Sequence, residues 1–280
     1  MRKRNDAYVL FRFYEIPQRD RADSISINTN TQSAVKARDL RSNSKQVLKL
    51  KKAYEAKYSN GFFATKRGEA IPADKDKQYC IELSYLGKNL TAWYMQRPNL
   101  SYGETKIFDK YFNTLFKNDY LPEDAYALSF WMRRIMDSWT QENPLGLEEE
   151  LLTMKAYAPY HLLFAISMVF AKCNNQTNVP SPSECLKVAS ENNLVDSIIN
   201  IAANCLNSAI SAEKNNCEQN NRSFIPQNWV KNKSCNAGIM SAIQNYFSFL
   251  PTMNKEMDSK LKNGVKIDSK YFSYRVQAED

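Results

Sequence analysis

The sequence of 280 residues holds one histidine and seven glycines, and no two of its six cysteines form a Cys-x-x-Cys pair. Each scarcity removes a class of chemistry. With His161 alone, a Cys/His metal centre or a Ser-His-Asp triad would have to be built around a single imidazole, and its setting, APYHLLFAISMVFA, is that of a packed helical histidine. Scattered glycines offer no Gly-rich turn ahead of a helix, so nothing has the form of a Walker-type phosphate loop. Cys80, Cys173, Cys185, Cys205, Cys217 and Cys235 are irregularly spaced, which fits reduced thiols better than a disulfide framework or a zinc site.

Long apolar runs are missing too. Leu162 to Ala171 falls short of the roughly 18 residues a membrane span needs and reads as a buried helix segment. The opening MRKRNDAYVLFRFYEIP is basic and then apolar, but Arg12 and Glu15 interrupt it and no small-residue cleavage site follows. A cytoplasmic protein with no membrane partner and no cofactor is expected.

What is present is unevenly distributed. Residues 1–70 carry 16 Lys and Arg against 7 Asp and Glu, whereas residues 71–280 are effectively neutral although the whole chain is +8. A polyanionic partner, DNA or RNA, is therefore expected to meet the N-terminal quarter. Hydrophobic content of 43% with few breakers describes a globular chain that leans helical.

Three segments follow. Residues 1–70 read as a basic mixed α/β segment, 71–252 as a helical domain and 253–280 as a polar tail, giving an α+β chain with a small mixed N-terminal part and a mostly α-helical body. Val9, Phe11 and Phe13 alternate within AYVLFRFYEI and mark a strand. GFFATKRGE reads as a second extended segment, and either it pairs with the first or the partners of the first are missing.

A helix is expected from Asn43, with Val47, Leu50, Tyr54 and Tyr58 on one side, Lys45, Lys49 and Lys52 on the other, and Asn60-Gly61 as its stop. Further helices are expected over QYCIELSYLGKNLTAWYM, over KIFDKYFNTLF, from Pro122, and through LEEELLTMKAYAPYHLLFAISMVFA with a bend at Pro159. Ser181-Pro182-Ser183-Glu184 has capping-box form, and two apolar helical runs flank the Asn-rich EKNNCEQNNRS. VKIDSKYFSYRV is expected to add a short strand.

Positive site signals concentrate where the charge does. Arg38, Arg41, Lys45, Lys49, Lys52, Lys66 and Arg67 form a candidate phosphate-contacting set, with a solubilising face as the alternative. Asn28, Asn30, Gln32 and Asp39 form a candidate polar cluster, suited to base edges, backbone amides or one another. Asp74 and Asp76 in PADKDK, and Asp268 with Lys270 in IDSK, lack a neighbouring acidic partner for a metal-dependent nuclease, and Glu148 to Glu150 read as a solvated first turn of a helix.

The stretch Ile25, Thr29, Asn30, Gln32, Val35, Asp39, Leu40, Arg41, Ser42 and Asn43 has the form I-x-x-x-T-N-x-Q-x-x-V-x-x-x-D-L-R-S-N. Together with VLFRFYEI before it and FFATKRGE, QRPNLSY and IFDKYFNTLF after it, this stretch resembles the AIPR family of abortive infection phage resistance proteins. Ala64-Thr65 departs from the family's usual residues ahead of Lys66-Arg67. The resemblance implies the C-terminal half of a longer family member, without the upstream N-G-x-Q-T segment and the restriction-endonuclease-like domain that many members carry. It further implies an anti-phage role as the part of a nuclease system that binds nucleic acid or an upstream-encoded nuclease-bearing polypeptide. A helical protein-interaction module with no nucleic-acid role is the alternative.

Overall fold

The structure, a computed structural model, describes residues 36–116 and 120–277. The expected strand at Ala7 to Ile16 and the candidates Asn28, Asn30 and Gln32 lie outside the described residues.

The N-terminal part begins with a short helix α1 (Ala37–Arg41) and then α2 (Lys45–Lys57), for which Ser44 is the N-cap, its hydroxyl accepting from Val47 N. After α2 the chain turns through Asn60-Gly61 into β1 (Phe62–Ala64). β1 pairs in parallel with β2 (Cys80–Glu82), Phe63 opposite Ile81. A parallel pair needs a crossover of a dozen or so residues, which the polar connection supplies. The helix expected across QYCIELSYL is thus corrected at its start: Cys80–Glu82 is a strand, and α3 begins only at Leu83 and runs to Trp93.

KIFDKYFNTLF gives two short helices in place of one, α4 (Glu104–Phe108) and α5 (Phe112–Leu115). The break brings Phe108, Phe112 and Phe116 into one buried aromatic cluster, the last two rings stacked 4.8 Å apart. α6 (Pro122–Ser138) starts at its proline as expected, with Glu123 and Asp124 in the first turn. The expected bend at Pro159 is instead a full boundary. α7 (Glu149–Leu152) ends before it, and α8 (Ala158–Cys173) carries Pro159 in its first turn, where a missing N–H costs nothing.

α8 is the centre of the molecule. It is buried from Ala158 to Ser167 and packs against α3, α6, α10 (Val195–Gln219) and α12 (Lys233–Met253). An apolar helix surrounded on all sides needs no amphipathic pattern. β3 (Val179–Pro180) follows α8, and α9 (Pro182–Glu191) is capped by Ser181, whose hydroxyl accepts from Glu184 N. α10 runs on into the Asn-rich stretch, and the short α11 (Pro226–Trp229) leads to α12.

The charged segment after Met253 is not extended throughout. It forms α13 (Lys255–Gly264) and then β4 (Phe272–Ser273), which pairs antiparallel with β3. Beyond β4, Arg275 Nε donates to the Met95 carbonyl at 2.9 Å and Val276 N to the Tyr94 carbonyl at 3.0 Å. Two small sheets on a helical body make up the described architecture. Among the described residues, no helix is long and apolar enough to cross a membrane.

Candidate functional site

Burial of one stripe fixes what α2 shows to solvent. Val47, Leu50 and Tyr54 are buried, and the Tyr54 hydroxyl donates to the Tyr79 carbonyl at 2.8 Å. With about 100° between successive residues, Lys45, Lys49 and Lys52 then lie on the far side, and all three are exposed. Two further lysines of the helix make ion pairs. Lys51 reaches Glu55 at 3.7 Å and Glu69 at 3.5 Å while lying over the Phe62 ring, and Lys57 pairs with Glu123 at 2.9 Å. Lys45 and Lys52 make no ion pair among the described residues.

The turn after β1 brings two more cations alongside. Glu69 closes it, one carboxylate oxygen accepting from Thr65 N at 2.8 Å and from Lys66 N at 3.0 Å. Gly68 at φ +67° makes that reversal without the penalty a Cβ would incur. Partial burial pushes the Glu69 carboxyl pKa up, but the two N–H donors and Lys51 outweigh it and hold the group below its ordinary value. Lys66 and Arg67 are left exposed, and the Lys51–Glu69 pair ties their turn to α2.

Arg38 and Arg41 point elsewhere. Arg38 is 8% exposed and ion-paired with Asp39 at 3.1 Å and Glu104 at 3.5 Å. Arg41 Nε donates to the Phe108 carbonyl at 3.1 Å, and its guanidinium lies 4.7 Å from the Phe112 ring centroid. Both arginines fasten α1 to α4 and α5, so of the seven candidate cations Lys45, Lys49, Lys52, Lys66 and Arg67 are the exposed ones. Asp39 belongs to the Arg38 contact, and its carbonyl accepts from Ser42 Oγ.

Asp76 accepts from Gln78 N and Asp268 from Lys270 N, and Lys270 Nζ also lies 3.3 Å from Asp268. Lys214 bridges Glu148 and Glu150 at 3.8 and 2.7 Å. Among the described residues no three His, Cys, Asp or Glu side chains gather where a metal ion would be held. The six cysteines are unpaired. His161 is enclosed in the core, and burial pushes its pKa down to about 4 against the pull of the Tyr157 and Val230 carbonyls.

One feature at the end of the basic helix is absent from the sequence reading. Tyr58, Tyr79 and Tyr126 stack on one another with centroids 5.1 to 5.4 Å apart, and Arg133 lies 5.9 Å from the Tyr126 ring. Burial and the neighbouring Glu123 raise the Tyr58 hydroxyl to about 12, and burial raises that of Tyr126 as well. Tyr58 is visible on the helical wheel, but its two companions come from a loop and from α6, which no local pattern joins to it.

No curated protein and no solved structure matches the chain. A family model described as AIPR protein matches residues 2–220, spanning the basic helix, the Glu69 turn and the central helix α8. The chain belongs to the AIPR family, a membership that implies abortive-infection phage resistance.

Proposed function

We propose that this chain serves an abortive-infection system as the part that binds nucleic acid, with nuclease chemistry supplied by a separate polypeptide. Lys45, Lys49, Lys52, Lys66 and Arg67 contact phosphates. The observation that carries this reading is the solvent face of α2, where three exposed lysines stand together opposite a buried stripe. Such a face interacts with the phosphate backbone without reading sequence. If all five cations displace counterions from duplex DNA, log affinity should fall against log salt with a slope of about −4 to −5.

Replacing Lys45, Lys49 and Lys52 by Glu tests the assignment. Binding of labelled duplex DNA, single-stranded DNA and RNA should be lost, while the melting temperature stays nearly unchanged because the three side chains are exposed. Intact affinity in the triple variant would overturn it. The half-buried Tyr58, Tyr79 and Tyr126 favour a second reading, since aromatic side chains are enriched at protein interfaces. On that reading the surface that carries these rings, at the end of the basic helix, docks on an upstream-encoded nuclease-bearing partner, and binding is saturable but indifferent to phosphate.

A further inference from the structure

Between the C-terminal end of α8 and the first half of α12 lies a cleft of about 650 Å³, within the range of small-molecule sites. The loop after α8 is held from both sides. Asn174 Nδ2 donates to the Phe170 and Val265 carbonyls, both at 2.9 Å, and its Oδ1 accepts from Ile267 N at 2.8 Å. That clamp fixes the next residues, Asn175 at φ +52° and then Gln176 and Thr177, along one wall of the cleft.

Gln96 reaches the cleft from another side. It is 8% exposed and sits at φ +51°, a conformation uncommon for a residue that is neither Gly nor Asn. Its amide Nε2 donates to the Met168 thioether at 3.3 Å, and sulfur is a weak acceptor. Behind it, Asn236 Nδ2 donates to the Gln96 carbonyl and to Asn99 Oδ1, while Asn236 Oδ1 is buried without a hydrogen bond. Backbone held in a costly region beside under-satisfied amides recurs at ligand clamps.

The lining has a definite chemistry. Side-chain amides of Gln96, Asn175, Gln176 and Gln244 offer donors and acceptors together, and Met168 and Met240 add polarizable apolar surface. Among the described residues no carboxylate lines the cleft, and the one charged side chain is Lys172, which makes no ion pair with any of them. A planar heteroaromatic edge with mixed donors and acceptors, attached to an anion, satisfies all of these groups at once. We propose that the cleft is a nucleotide-binding site, in which the amides hold a base against the two methionines and Lys172 compensates the phosphate. Met240 and Gln244 lie beyond residue 220, where the family match ends, so part of the site is built by a helix outside the family segment.

Isothermal titration of the full chain with AMP, GMP, CMP, UMP, adenosine and inorganic phosphate tests this. At least one nucleoside monophosphate should bind saturably at one site per chain, while inorganic phosphate alone should not. Ser241→Trp, placed at an exposed position of the lining, should fill the cleft and abolish binding, and Gln244→Leu should weaken it, serving as the second variant if the first does not fold. Lys172→Gln should weaken the monophosphate about tenfold, the loss of one charged contact, and leave adenosine unaffected. The Lys45, Lys49 and Lys52 triple Glu variant should keep full nucleotide affinity, which separates this site from the basic face of α2. Absence of saturable binding by all four monophosphates, binding unchanged by both cleft variants, or inorganic phosphate binding as well as the nucleotide would overturn the proposal.

Discussion

His161 makes stability depend on pH between about 4 and 6.5. It is the only histidine of the chain, it is 1% exposed, and burial lowers its pKa from 6.5 to about 4. Between those two values the unfolded chain binds a proton that the folded chain refuses, so stability rises with pH through the window. The contribution is fully present above the unfolded pKa and is lost as pH falls toward 4. Integrated over the shift, the penalty is about 2 kcal/mol between pH 7 and pH 5, and about 3 kcal/mol by pH 4. Urea unfolding at pH 7 and pH 5 measures it directly, with His161→Leu as the reference that removes the titrating group while keeping an apolar side chain in the core. The wild-type chain should lose about 2 kcal/mol more than the variant over this step. Parallel losses in the two proteins would show that His161 is solvated or charged in the folded state, and would refute its place in the core.

Asp124 is a second buried group with measurable consequences, its Oδ1 accepting from Ser181 Oγ, Ser183 N and Ser183 Oγ and its Oδ2 from the Tyr94 hydroxyl. Asp124→Ala leaves these donors unpaired and should destabilise the chain by about 3 kcal/mol, read from the urea midpoint at constant slope; a loss below 1 kcal/mol would mean that water replaces the carboxylate. Glu69→Ala should free the turn that carries Lys66 and Arg67, so its amides exchange faster with deuterium while α8 is unaffected, and equal exchange would show that the turn holds without its carboxylate.

Local patterns in the chain announce some of these features and conceal others. Period 3.6 alone placed Val47, Leu50 and Tyr54 inside and the three lysines outside, because an amphipathic helix on a core has one solution. The cap at Ser181 was legible for a similar reason, as a hydroxyl three residues before a Glu serves a helix end wherever it occurs. The burial of Arg38 is not legible, because a sequence shows a cation but not its partner, and Glu104 meets it from another element. Cys80–Glu82 is apolar enough for a helix or a strand, and only the distant β1 decides between them. The segment after Met253 shows its strand in VKIDSKYFSYRV but hides the helix before it, whose end is held by Asn174 and Asn192 from far back in the chain. The nucleotide cleft draws its amides from three separated segments, so no motif could have announced it.

On the proposed function, the exposed face of α2 and the Glu69 turn contact phosphate. Fluorescence anisotropy of labelled duplex DNA, single-stranded DNA and RNA, across a salt series from low to physiological, tests it most directly. Affinity that falls linearly in log–log form, with a slope near −4 to −5 on duplex DNA that collapses in the Lys45, Lys49 and Lys52 triple Glu variant, is the predicted result. No binding at the lowest salt, or a slope that the triple variant leaves unchanged, would contradict it.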